Sequence, residues 1–350
     1  MRATFVYPNS RLTLLAGVAA GTEPDSTLLG ANHLARHGVD VRIREPLLTR
    51  HRLPAPLDRV AWHARELILP FEIGRPDVLF TPLASILPLS ARAGGIRTVV
   101  VNYGLNLISG RVSSGRRALL RRSLLASERV VCLGESQRLE LVESIGIATD
   151  RTLTLLLPVD EIFYSPRPEP SGADTVLTVG KDLARDYGVF LQAVRDLDAP
   201  VCLAVHPRNL AGLELPSNAV AGLLSSVELR EAYAEAACVV LPQHRDGYPY
   251  GSEAGGLTAL LEAMAMGRPI VASERAIFRD YLDDGVEALV VPPEDPAALR
   301  HAIERVLADR RLAARLGRAA RARVERMHTT RRFAALLAPV LRSARGPGHP

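Results

Sequence analysis

Twelve short apolar runs punctuate this sequence, and most lead into a stretch with helical spacing. The first six are ATFVY, VDVRI, DVLFT, RTVVVNY, RVVCLG and TLTLLLP. The second six are TVLTVG, PVCLAV, NAVAG, CVVLP, PIVAS and ALVVPP. Runs that are apolar on both faces must be covered on both sides, and a helix after each strand supplies that cover in a parallel sheet. STLLGANHLARHG, RLELVESIG, YGVFLQAVRDL, SVELREAYAEAA and LTALLEAMAMG carry apolar residues at helical spacing. At 350 residues the chain is too long for one ordinary core. Two doubly wound, Rossmann-like α/β domains are therefore expected.

The break between the halves is legible. PVDEIFYSPRPEPSGAD, residues 158–174, holds four prolines and no periodicity, and reads as an extended linker. The expected divisions are an N-terminal domain over 1–160, a linker over 161–173 and a C-terminal domain over 174–325. A helix over 326–343 and a disordered tail over 344–350 complete the chain.

Several function classes drop out on composition. No run of about 18 apolar residues is present, so no spanning helix is expected. MRATFVYP enters a strand directly, without the apolar region of a signal peptide, and the expected location is cytoplasmic. A net charge of +5 suits an anionic partner. Aromatic residues make up only 5% of the chain and no recognition motif appears, which argues against nucleic acid. Cys132, Cys202 and Cys238 lie in strand-like runs without metal-ligand spacing and read as free, buried thiols. In SGRVSSGRRALLRRSLLASERV the arginines spread around the helix axis between leucines. A packed helix with solvated arginines is the expected outcome, with weak peripheral attachment at an inner membrane face left open.

The most informative stretch is GSEAGGLTALLEAMAMGRPIVAS, residues 251–273. Gly255 and Gly256 precede a helix opening at Leu257, and uncovered amides at such a helix end form an anion seat. Glu262 is the only acid in that helix, with Thr258 four residues earlier on the same face. A carboxylate among apolar residues needs a hydrogen-bonding partner. Anion seat and carboxylate together have the layout of a nucleoside diphosphate. A second feature is TVGKDLARDYG: the only lysine of the chain, Lys181, follows Gly180 at a strand's end, with Arg185 four residues on.

These stretches resemble the donor-binding half of the retaining GT-B glycosyltransferases called group 1 or family 4. GGLTALLEAMAMGRPIVAS, DYLDDGVEALVVPPEDPAALRHAIERVLAD, VDEIFYSP and TVGKDLARDYGVFLQAV carry the resemblance, over roughly residues 130–310. The N-terminal half is similar only in its strand–helix pattern. The resemblance implies two Rossmann-like domains facing a central cleft, with the C-terminal helix crossing back to the N-terminal domain. It implies a basic pair on the pyrophosphate, taken by Lys181 and Arg185, although the family's second basic position aligns with Asp186. It implies a glutamate on the ribose, matching Glu262, and another on the transferred sugar. That other position falls on Ala254, so Glu253, Ser252 or a backbone amide is left to serve it. Gly180, His206, Gly255, Gly256, Leu257 and Thr258 complete the expected donor site. His206, after the run PVCLAV, reads first as a strand-end histidine bonded to backbone and second as a contact to the sugar or base.

On the acceptor side, GVAAGT places Gly17, Gly21 and Thr22 in a loop after the first strand. Glu23 and Asp25 lie beside it, either on acceptor hydroxyls or in a helix cap. Asn102 and Tyr103 end another strand, where the family often has a histidine. The expected activity is that of a retaining, metal-independent hexosyltransferase, with no cofactor beyond its nucleotide-sugar substrate. The acceptor is a small molecule, glycan or glycolipid. The alternatives are a non-catalytic nucleotide-sugar-binding protein of the same fold, or a sugar-nucleotide epimerase. No motif sets an oligomeric state.

Overall fold

The computed structural model describes residues 1–7, 11–45, 55–82, 86–104, 113–167 and 174–345. The chain divides into two compact units. Met1–Ala20, Thr27–Leu156 and Arg331–Pro350 form one, and Gly21–Ser26 and Leu157–Thr330 form the other.

All twelve apolar runs are strands. The first unit carries β1 (Arg2–Val6), β2 (Asp40–Arg44), β3 (Val78–Pro82), β4 (Thr98–Asn102), β5 (Arg129–Cys132) and β6 (Thr152–Thr154). They form one parallel sheet in the order β2-β1-β3-β4-β5-β6. The second unit carries β7 (Thr175–Gly180), β8 (Val201–Val205), β9 (Ala219–Gly222), β10 (Ala236–Leu241), β11 (Ile270–Ser273) and β12 (Leu289–Val291). Its parallel order is β12-β11-β10-β7-β8-β9. Central strands such as β3, β4 and β11 are buried at every position, whereas the edge strand β9 is largely exposed. Full burial on both faces is what an apolar run without alternation requires.

Helices of the first unit are α1 (Leu12–Ala20), α2 (Ala55–Glu72), α3 (Leu87–Ala93), α4 (Ser114–Ala126) and α5 (Glu135–Ile145). Those of the second are α6 (Tyr187–Val194), α7 (Ser226–Glu235), α8 (Leu257–Ala265), α9 (Pro296–Ala308) and α10 (Arg310–Met327). α11 (Thr330–Ala344) follows and is counted almost wholly with the first unit. α4 buries Leu120, Ser123 and Leu124 and leaves Arg116, Arg117, Arg121 and Arg122 exposed. Among the described residues no helix is long and apolar enough to cross a membrane. The three cysteines are free, with Cys132 and Cys238 buried and Cys202 half-buried.

Three local expectations are corrected. The segment after β1 is not a loop: LTLLAGVAA is helical as α1, because leucine and alanine favour helix strongly enough to carry Gly17 within it. Gly21 follows in the left-handed region (φ 70°) and ends the helix. The stretch STLLGANHLARHG is two 3-10 turns, Asp25–Leu28 and Ala31–His37, interrupted at Gly30. Gly30 has φ +74°, and a Cβ there would stand 3.0 Å from the Cβ and 3.1 Å from the backbone nitrogen of Ala334. Finally, the helix expected over 326–343 begins only at Thr330, after a break that follows Met327. The carbonyl of His328 accepts the Val159 N–H there at 2.7 Å, so the bond that would continue the helix goes elsewhere.

The second unit's core gathers residues of β7, β8, β10 and α6 together with Leu299, Ile303, Leu312 and Leu316 of α9 and α10. α10 also packs backbone to backbone against the turn after α8. A Cβ on Gly317 would stand 2.0 Å from the carbonyl oxygen of Gly267. Gly317→Ala is therefore expected to destabilise the unit by about 1–3 kcal/mol, the usual cost of overpacking. Chemical denaturation of the variant checks this.

Candidate functional site

In the second sheet β7 pairs with β8 on one side and with β10 on the other. The connections therefore diverge between β7 and β10, and ligands of open α/β sheets bind where the strand ends flank such a point. β7 runs out into the 181–186 loop and β10 into the 242–256 loop. The two loops are joined by an isolated bridge between Arg185 and Gln243 and by a bond from His244 N–H to the Ala184 carbonyl at 2.9 Å.

Asp182 stitches them further. Its Oδ1 accepts from the N–H of Ala184 at 2.8 Å and of Ser252 at 3.3 Å, and its Oδ2 from the Ser252 hydroxyl at 3.1 Å. The glycines are glycines partly for its sake. A Cβ on Gly251 or Gly255 would stand 2.2 or 2.9 Å from Asp182 Oδ1. Gly256, at φ +98°, opens α8 without a side-chain hydrogen bond capping the helix's positive end. Gln243 lies against it, where a Gly256 Cβ would come to 2.2 Å from Nε2.

Arg185 is the principal cation here. It is only 4% exposed, and its Nε and Nη1 are buried without hydrogen-bond partners. Its guanidinium lies over Gly180, where a Cβ would stand 2.8 Å from Nε. The Tyr187 hydroxyl holds that turn by donating to the Gly180 carbonyl at 2.6 Å. Burial pulls the Arg185 pKa below its ordinary value, and Arg275 adds to this, while Tyr187, Tyr233 and Asp182 oppose it. Arg275 is itself buried. Its Nε donates to Asp246 at 2.7 Å, and weaker contacts reach Gln243 Oε1 and the Glu253 carbonyl, both at 3.5 Å.

One turn into α8, Glu262 is 7% exposed. The Tyr233 hydroxyl on α7 donates to its Oε2 at 3.0 Å, and the Tyr164 hydroxyl faces the same carboxylate. Burial pushes the Glu262 pKa up to about 7, against the pull of both tyrosines and of Arg185. The carboxylate thus has the partners its apolar helix demanded, while Thr258 on the same face is exposed.

The remaining sequence candidates are placed as follows. Lys181 is exposed just beyond β7, and its carbonyl accepts from Arg208 Nη2 at 3.0 Å. His206 Nδ1 accepts the Arg208 N–H at 3.2 Å, the backbone-bonded alternative. Asp186 caps α6 by accepting the Val189 N–H at 3.0 Å, which accounts for an acid where the resemblance expects a base. Leu257 is buried, and its N–H bonds the Ala254 carbonyl. Gly180, Lys181, Arg185, His206, Glu253, the glycines, Leu257, Thr258 and Glu262 all belong to the second unit. Gly17, Asn102 and Tyr103 belong to the first, and Gly21 and Thr22 are counted with the second. Asn102 is fully buried at the end of β4, where its Oδ1 accepts the Gly104 N–H at 3.1 Å. Glu23 accepts the Ser226 hydroxyl at 2.6 Å, and Asp25 is buried with the Thr330 hydroxyl on its carboxylate.

Sequence reasoning passed over Asp182, Tyr164, Tyr233, Gln243 and Arg275. Tyr233 had a signal, as the one large polar side chain among the apolar positions of SVELREAYAEAA. Asp182 had none, because its partner Ser252 lies 70 residues away.

The raised Glu262 pKa has a consequence for stability. An unfolded chain loses this proton near 4.5 and the folded one near 7. The group's contribution is therefore fully present below 4.5 and is lost as pH rises to 7. Glu262→Gln, which stays neutral, should melt higher than the parent at pH 8 by an amount worth a few kcal/mol. The difference should shrink towards zero at pH 4.5, as followed by thermal melts at the two values.

Comparison with known proteins bears on the fold and on part of the second unit. The family described as Glycosyl transferases group 1 matches residues 213–323. A D-inositol 3-phosphate glycosyltransferase of Geodermatophilus obscurus is 34% identical over 222 residues, 62% of this chain and 41% of that protein. The chain spans less than half the length of the relatives it matches in sequence. Among solved structures, sucrose-phosphate synthase from Thermosynechococcus elongatus superposes with a TM-score of 0.71 at 15% identity, over 98% of this chain and 99% of that one. The Anabaena protein HepE, in complex with UDP and glucose, gives 0.70 at 13% identity, over 97% and 99%. Residues 213–323, which hold the glycine loop and Glu262, match the group 1 glycosyltransferase family, and the chain has the GT-B fold.

Proposed function

We propose that this protein transfers a hexosyl group from a nucleotide-sugar donor to an acceptor hydroxyl, with retention at the anomeric carbon and without a metal ion. The observation that carries the reading is Arg185, a buried guanidinium with two unpaired nitrogens at the divergence of β7 and β10. Burying a charge without a partner costs several kcal/mol, and an arriving anion offsets that cost. A diphosphate is the anion that suits a cation, an uncapped helix end and a carboxylate one turn further on. The phosphates take Arg185 and the α8 amides, with Lys181 as a second, solvent-facing charge. The ribose hydroxyls take Glu262, and Glu253 is assigned to the hydroxyls of the transferred sugar.

In this reading the acceptor oxygen bonds to the anomeric carbon as the bond from that carbon to the phosphate oxygen breaks. The acceptor's proton passes to the departing phosphate. Negative charge grows on the nucleoside diphosphate, and Arg185 with the helix end stabilises it, the role a metal ion serves elsewhere. HepE, solved with UDP and glucose, makes UDP-glucose the first donor to try. The acceptor is a small molecule, glycan or glycolipid.

Calorimetric titration with UDP, GDP and ADP should show micromolar-range binding of at least one. Arg185→Ala should weaken it about tenfold or more, the scale of a charged hydrogen bond, and Lys181→Ala less. Release of nucleoside diphosphate from the donor should require an acceptor. Donor turned over alone to an isomer, or no release with any acceptor, counts against the transferase.

A further inference from the structure

Glu262 is gripped from two elements outside its own helix. Tyr233 reaches it from α7, which opens with a complete capping box at Ser225 and Glu228. Tyr164 reaches it from the segment that follows Leu157. Both tyrosines are fully buried, at 0% and 1% exposure, and their rings meet edge to face with centroids 6.0 Å apart. The backbone of Tyr164 is pinned in turn. Arg321 of α10 donates to the carbonyls of Glu161, Tyr164 and Ala265 at 3.0, 3.0 and 2.8 Å, tying that segment to the end of α8.

We propose that Tyr164 and Tyr233 are positioning residues that orient the Glu262 carboxylate towards the ribose diol of the bound nucleotide. The inference rests on the donor reading above and deepens it. An ionised carboxylate offers about four lone-pair sites. The Tyr233 phenol takes one of them, the Tyr164 phenol faces another while its ring packs against Tyr233, and two remain for a pair of vicinal hydroxyls. A cluster serving stability alone gains more from apolar packing than from a buried acid that burial makes hard to ionise. Here two hydroxyls are committed to keeping that acid ionisable, one turn from the uncapped end of α8.

The charged and titratable groups facing the cluster are Arg185 on Glu262, and Glu23 and Asp160 on Tyr164. Asp182, Tyr187 and Arg275 act one step removed, through Arg185. Arg185 and the phenols favour the carboxylate; burial opposes it. Removing one phenol therefore shifts ionisation of Glu262 to higher pH, and ribose binding shifts with it.

The test is titration of the tightest binder among UDP, GDP and ADP from pH 6 to pH 9, on the parent, Tyr233→Phe and Tyr164→Phe. Each variant should bind about tenfold more weakly at pH 7, the scale of one hydrogen bond to a charged group. Each should recover most of the loss by pH 9. The same titration with the 2′-deoxy nucleotide should show a smaller pH dependence and little difference between parent and variants. Unchanged pH dependence in a folded variant overturns the proposal, even where melting temperature falls. Parent protein that binds none of the three nucleotides overturns the donor reading itself. Either variant suffices should the other fail to fold.

Discussion

A guanidinium removed from water without a carboxylate beside it is expensive, and much of the second unit is arranged around keeping one there. Gly180 has no side chain so that Arg185 can lie across it, and Tyr187 fastens the same turn from beneath. The neighbouring Asp182 is spent elsewhere, on the amides of Ala184 and Ser252, so it shapes the loop without neutralising the arginine. Gly251 and Gly255 yield space to Asp182, and Gly256 yields space to Gln243. Substituting any of these would move the loop that carries the uncapped end of α8. The glycine-rich stretch is therefore a consequence of two protein groups packed into it, Asp182 and Gln243.

From Arg185 the charge pattern continues inwards. Tyr233 is within electrostatic reach of Arg185 and hydrogen-bonds Glu262, which also takes Tyr164. Cation, phenol, carboxylate and phenol thus form one connected set, and its two charged members are held at a cost in the unliganded protein. The arginine lacks partners, and the glutamate binds its proton more tightly than an exposed one does. Such locally unfavourable chemistry persists where binding makes use of it.

Much of the fold was legible in the sequence because parallel strands covered on both faces have an unambiguous signature. All twelve runs are strands, and central ones such as β3, β4 and β11 are buried at every position. The failures were local. LTLLAGVAA looked like a loop because of Gly17 within it and Gly21 after it, yet leucine and alanine carried it into a helix. STLLGANHLARHG had helical spacing, yet Gly30 is reserved for the close approach of Ala334, a contact 304 residues away that no local pattern encodes. The candidate site divides the same way. Arg185, Glu262 and the glycines announce themselves by type and spacing along a single loop or helix. Asp182 with Ser252, and Tyr164 and Tyr233 with Glu262, become partners only when strands 60 residues apart lie side by side. The sequence also made Lys181 the more conspicuous cation, as the chain's only lysine, whereas burial singles out Arg185.

The segment after Leu157 deserves its place in the second unit for a chemical reason. By composition it reads as a linker, with prolines and no periodicity. Yet its Leu157 N–H takes the Tyr281 hydroxyl at 2.8 Å, its Val159 N–H takes the His328 carbonyl, and its Glu161 and Tyr164 carbonyls take Arg321. Arg321 also satisfies Ala265, one of the carbonyls left open at the end of α8. Glu262 therefore receives support at two levels that depend on residues preceding the first strand of its own sheet: the Tyr164 phenol at its carboxylate, and the Glu161 and Tyr164 carbonyls that Arg321 ties to its helix. A unit begun at β7 would keep every residue of the sheet and still leave Arg321 and Glu262 short of partners. The functional boundary of this unit is set by where its polar groups find each other, and that point lies upstream of where its strands begin.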